Sequence, residues 1–154
     1  EKTLEFMSDL TTNGKYEITE DMKEQMNNFV AGYASEEDTA KAIRTIYQEN
    51  GYVLDTHTAV AAFVYNEYKN NNKEDHNKTI IASTASPYKF PVSVMNAIDE
   101  KYKDMDDFEL VGELNKIAGV DVPKAVDGLK NAPVLHQREC KPEEMEELVE
   151  EILG

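Results

Sequence analysis

Over the first fifty residues apolar side chains return every three or four positions, the spacing of one helix face. Leu4, Met7 and Leu10 form the first stripe, and "TTNG" at 11–14 ends it. "KYEI" at 15–18 has the length and composition of a short strand. Met22, Met26, Phe29 and Val30 predict a second helix, with Gly32 as its C-terminal cap. A third helix is better marked. Ser35 can cap it, Asp38 stands three residues on, Ala40, Ile43 and Tyr47 make its inner stripe, and Gly51 follows its end.

The pattern changes after Gly51. "YVL" reads as short and extended, and Asp55 can accept hydrogen bonds from the free N–H groups of a new helix. From Ala59 to Tyr65 every residue is apolar or aromatic, which predicts a helix covered on more than one side. "NNNKEDHNK" is a solvent loop. "TIIASTA" at 79–85 is an apolar run ending in hydroxyls, and it reads as a fully buried strand of the parallel-sheet type. Pro91 suits the first turn of the next helix, whose apolar face is Val94, Met95, Ile98 and Tyr102. There follow a helix around 106–117, a short one near 123–130 and an extended piece, "PVLH", at 133–136. The last helix starts at Pro142, with Met145, Leu148, Val149 and Ile152 in its stripe. The predicted fold class is α/β: mostly helices, with a few strands of an incomplete sheet whose neighbours are missing from the chain. Residues 1–154 read as one segment without repeat or linker.

Composition narrows the partners. Sixteen basic against 31 acidic side chains give a net charge of −15, which repels phosphate backbones and anionic membrane surfaces. With 40% hydrophobic residues and periodic stripes, the acidity does not imply disorder. A single cysteine, Cys140, excludes an internal disulfide framework and fits a reducing cytoplasm. The N-terminus has no signal-peptide pattern. It also lacks an initiator Met and opens inside a helix, which suggests a fragment.

Candidate chemistry concentrates at the end of "TIIASTA". Ligands of open α/β sheets collect beyond the carboxyl ends of the strands, where Thr84 and Ser86 would stand. A neutral hydroxyl there can meet a pyridine nitrogen without favouring its protonated form, as a carboxylate would. The plainer alternative is that Thr84 or Ser86 caps the following helix. Asp55 and His57 are too few to make a metal site, and His76 and His136 lie in unrelated contexts. Cys140 stands beside Glu139, whose charge disfavours a thiolate. The methionines at 22, 26, 95 and 145 read as packing residues, and "CKPEEMEELVEE" as a solvated helix face.

"GYVLDTHTAV" followed two dozen residues later by "IASTASPYKFPVSV" resembles the C-terminal part of threonine synthase. That family carries Asp-Pro-His-Thr-Ala-Val at a helix start, then a strand ending Ser/Gly-Thr-Ala-His/Ser-Pro-x-Lys-Phe. The resemblance runs in register from about residue 15 to the mid-130s. It implies the tryptophan-synthase-β-like group of pyridoxal-phosphate enzymes (fold type II). It also implies conversion of O-phospho-L-homoserine and water to L-threonine and phosphate, with the cofactor as electron sink. By the same resemblance Thr84 would face the pyridine nitrogen, and Lys89 would lie near the pocket and attract the substrate's phosphate. Two positions depart from the pattern: Thr56 stands where Pro is usual, and Ser86 where His is common.

The lysine that forms a Schiff base with the cofactor lies, in that family, toward the N-terminus in a Phe-Lys-Asp-like context. No such context occurs here, nor does a Gly-rich phosphate loop. The chain therefore reads as roughly the last third of the enzyme, with no catalytic residue of its own and no cofactor bound to it alone. The missing N-terminal portion would be its partner, and the isolated chain would be inactive. The alternative reading is a self-standing acidic helical module that binds another protein. A sealed core around "TIIASTA" would favour that alternative.

Overall fold

Four α-helix starts in this protein are set by short polar side chains, Thr19, Ser35, Asp55 and Asp106, that satisfy backbone N–H groups left free by the first turn. In the computed structural model, which describes residues 1–135 and 137–154, there are seven α-helices. They are α1 (Lys2–Asn13), α2 (Glu20–Gln25), α3 (Glu36–Asn50), α4 (Thr56–Asn71), α5 (Pro91–Ile98), α6 (Asp107–Ala118) and α7 (Met145–Leu153). Ser35 and Asp38 form the reciprocal capping box of α3, as their spacing predicts, and Gly51 closes that helix in the left-handed conformation. Asp106 and Glu109 build a second capping box at α6. Pro91 occupies the first turn of α5.

The core lies among α3, α4, α5 and α6. α5 is short and packs against both α3 and α6, while α3 also packs along α4. Ile43, Ala59, Val94, Met95, Leu110 and Leu114 are fully buried at these contacts. Burial of a side chain the size of Leu or Met stabilises the folded state by roughly 1.5–3 kcal/mol. Val53 and Leu54, the last two residues of "YVL", join this core just before the start of α4. α1, α2 and α7 contain no buried residue.

The α/β expectation is overturned. No described residue is in a β-strand, and the described protein is all helical. "KYEI", "YVL" and "TIIASTA" run without sheet partners, as do Pro133–Leu135 of "PVLH"; His136 lies outside the described residues. The reason is physical: a strand is stabilised by a neighbour's hydrogen bonds, and no second described segment lies alongside to supply them. Ile80, expected in the core, is 94% exposed, and Ile81 is also exposed. α4 is accordingly buried along one line, at Thr58, Ala59 and Ala62, while Val60, Phe63, Val64 and Tyr65 are half-buried.

Helices depart from the predicted pattern at three places, the first being Tyr102, expected on the face of α5 but placed in a separate 3₁₀ turn beyond its end. α2 stops at Gln25, and Phe29 and Val30 are exposed beyond it, so Gly32 caps nothing. Instead, Gly32 lies so close to α4 that a Cβ built there would stand 2.7 Å from Val64 Cγ1. The stretch 123–130 is a series of turns leading into a 3₁₀ turn at Leu129–Asn131, not a helix.

Candidate functional site

The hydroxyl-tipped segment reaches its position through a polar anchor, not a sheet. Asp55, 2% exposed, is the N-cap of α4. Its Oδ1 accepts from the backbone N–H groups of His57 (2.9 Å) and Thr58 (3.1 Å). Its Oδ2 accepts from the Thr58 hydroxyl. Thr58 Oγ1 lies 2.9 Å from Ser83 Oγ, and Ser83 Oγ lies 3.4 Å from Asp55 Oδ2. Burial opposes ionisation of Asp55. The Thr58 hydroxyl, the two backbone donors and the nearby His57 outweigh it and hold the carboxyl below its ordinary value. The sequence marked Asp55 as a cap but gave no sign that Ser83 would join it. The only local signal was the Asp-x-x-Thr spacing at the helix start.

Beyond Ser83 the chain turns. Thr84 is exposed, and its hydroxyl makes no hydrogen bond to any described residue. Capping falls to Ser86, whose Oγ accepts from the Tyr88 N–H at 3.3 Å and starts a 3₁₀ turn over Pro87–Lys89. The choice left open by the sequence is thus divided: Ser86 caps, and Thr84 is free. Tyr88 points inward and is buried. Lys89 points outward, its Nζ 5.4 Å from the centroid of the Phe90 ring, and the other neighbour of that ring is His57 at 5.5 Å between centroids. His57 Nδ1 is 3.6 Å from Asp55 Oδ1, with the imidazole largely exposed.

Thr84 and Lys89 therefore share one turn held by Asp55 on one side and by Tyr88 on the other. Earlier in the same segment, Ile80 and Ile81 line an open apolar trough of about 550 Å³ together with Val30, Ala61, Val64 and Tyr65. Among the described residues no three His, Cys, Asp or Glu side chains gather as a metal site. Cys140 is exposed and unpaired. No described helix is long and apolar enough to cross a membrane.

The helices around the core thus carry a hydroxyl-bearing turn and an open apolar trough at the surface. Residues 58–151 match the family described as threonine synthase, C-terminal, and the chain belongs to that family. It is 40% identical to mouse threonine synthase-like 1 over 73 residues, covering 47% of this chain and 9% of the relative. Against human threonine synthase-like 1 it is 33% identical over 98 residues, 63% of this chain and 13% of the relative. Against yeast (Saccharomyces cerevisiae) threonine synthase it is 31% identical over 98 residues, 60% of this chain and 19% of the relative. The chain thus spans less than a fifth of the length of these relatives.

Proposed function

We propose that this chain is the C-terminal portion of a threonine synthase, a pyridoxal-phosphate-dependent lyase that converts O-phospho-L-homoserine and water to L-threonine and phosphate. Family membership supports the reading. The observation that carries it to the site is the free, outward Thr84 hydroxyl on a turn fixed by a buried carboxylate. A hydroxyl without a partner among the described residues suits a ligand nitrogen, and the apolar trough lined by Ile80 and Ile81 suits a further stretch of polypeptide. The core does not seal around "TIIASTA", which speaks against a self-standing interaction module.

When bound, the cofactor supplies the electron sink for the reaction. This chain's residues fit its nitrogen end: the neutral Thr84 hydroxyl would meet the ring nitrogen without favouring its protonated form. They do not fit its phosphate end, since no Gly-rich run of N–H groups occurs here. Lys89, exposed at the same turn, offers a positive charge to the substrate's phosphate in a chain of net charge −15. The lysine that binds the cofactor and the phosphate cradle belong to the N-terminal portion, which would also cover the trough.

The test compares the purified 154-residue chain with the full-length polypeptide that carries it. The chain alone should form no threonine and bind no pyridoxal phosphate. The full-length protein should do both, Thr84→Val should alter the cofactor's absorption spectrum, and Lys89→Ala should raise KM for O-phospho-L-homoserine. Threonine formation by the chain alone, or none by the full-length protein, overturns the reading.

A further inference from the structure

We propose that Ser83 Oγ is a hydrogen-bond-accepting subsite beside Thr84, its polarity set by Asp55 through Thr58, and that it receives an N–H or O–H donor of the bound ligand. This rests on the proposed function only in placing a ligand against Thr84. The polarity itself follows from counting protons.

A hydroxyl has one proton and two lone pairs, whereas a carboxylate only accepts. Both oxygens of Asp55 therefore draw protons toward them. Oδ1 takes the N–H groups of His57 and Thr58, and Oδ2 takes the hydroxyl proton of Thr58. The Thr58 proton is then spent, so the contact between Thr58 Oγ1 and Ser83 Oγ at 2.9 Å is made by the Ser83 proton. The longer contact of Ser83 Oγ with Asp55 Oδ2, 3.4 Å, calls the same proton inward. Ser83 is exposed, and its oxygen turns only lone pairs outward. The depressed pKa of Asp55 keeps this arrangement in place at neutral pH.

The next residue has the opposite character, because the Thr84 proton is uncommitted and available to an acceptor. Two consecutive residues thus carry an acceptor hydroxyl and a donor hydroxyl. An anionic oxygen, as of phosphate or carboxylate, is repelled at Ser83. An ammonium or a hydroxyl is welcomed there, and the source can be the amino-acid substrate or the cofactor.

Asp55→Asn should reverse the polarity without dismantling the scaffold. The two backbone N–H groups at Oδ1 require the amide oxygen to take that position, so the amide nitrogen replaces Oδ2. It then donates to Thr58 Oγ1, the Thr58 proton turns to Ser83, and the Ser83 proton turns outward. NMR of the 154-residue chain reads the inward direction of the Ser83 proton. The Asp55 carboxyl carbon should titrate at higher pH in Ser83→Ala than in the native chain, because a proton that supports the carboxylate is lost, with amide protection in α3 and α5 unchanged. An Asp55 titration unmoved by Ser83→Ala overturns the proposal.

In the full-length protein the readouts are Kd for pyridoxal 5′-phosphate and KM for O-phospho-L-homoserine. A donor on the cofactor moves the first and a donor on the substrate moves the second. Ser83→Ala should weaken the affected constant by roughly 10-fold and Asp55→Asn by roughly 10- to 100-fold, since a donor then faces a donor. The two losses should not add when combined, because Asp55 acts through Ser83. Additive losses, or constants unmoved by Ser83→Ala, overturn the proposal. Ser83→Ala leaves the Asp55–Thr58 bond intact and so keeps the test open should Asp55→Asn fail to fold. Thr84→Val tests the parent reading separately: a native spectrum there defeats the role of Thr84 while leaving the polarity of Ser83 standing.

Discussion

The Tyr88 hydroxyl donates to the carbonyl oxygen of Val120 at 2.8 Å, tying the turn that carries Lys89 to the chain just past α6. Tyr88→Phe keeps the buried ring and strands that carbonyl. We expect a loss of about 0.5–1.5 kcal/mol in urea unfolding, with an unchanged denaturant slope. An unaltered midpoint would show that water replaces the hydroxyl.

The same phenol sets an alkaline limit. Burial, with a smaller effect from the charge of Asp121, raises the Tyr88 pKa above its ordinary value. A group whose folded pKa is raised contributes stability below its unfolded value, about 10, and loses it as pH climbs through the folded value. The melting temperature should therefore fall more steeply above about pH 10 in the native chain than in Tyr88→Phe.

Asp55 acts at the opposite end of the pH scale. Its folded pKa is depressed, so its contribution is complete above the unfolded value of about 3.9 and disappears as pH falls through the lower folded value. We expect Asp55→Asn to lower the melting temperature at pH 7 and to flatten its decline below about pH 4. Parallel pH profiles for the two proteins would contradict this.

Ile80 and Ile43 are the same residue type in opposite surroundings, 94% and 1% exposed. Ile80→Lys should change the stability of this chain by no more than about 0.5 kcal/mol, whereas Ile43→Ala should cost about 2–5 kcal/mol. In the full-length protein the proposed function expects Ile80→Lys to become damaging, because the trough it lines would be covered. Equal effects of Ile80→Lys in chain and full-length protein would argue against such a cover.

Gly32→Ala probes the approach of the 30–33 loop to α4. The new Cβ would press on Val64 Cγ1 at 2.7 Å, and a Val on a helix has little rotamer freedom with which to yield. A loss of about 1–3 kcal/mol is expected by chemical denaturation. No loss would mean that the loop shifts freely.

The sequence by itself determined the elements whose causes are local. Ser35 with Asp38, Asp55, Pro91 and Gly51 mark helix ends because a cap or a first-turn proline acts within a few residues of its own position. The motifs around Asp55 and Thr84 likewise pointed to the family that the chain proves to belong to. Local pattern misled where the deciding partner was distant or absent among the described residues. "TIIASTA" has a strand's composition but no described neighbour to pair with, and the apolar spacing past Gln25 does not continue as helix. Only the tertiary structure joined Ser83 to Asp55 across 28 positions and Tyr88 to Val120 across 32. Such bonds depend on how α4, α5 and α6 pack, and no short-range periodicity encodes that.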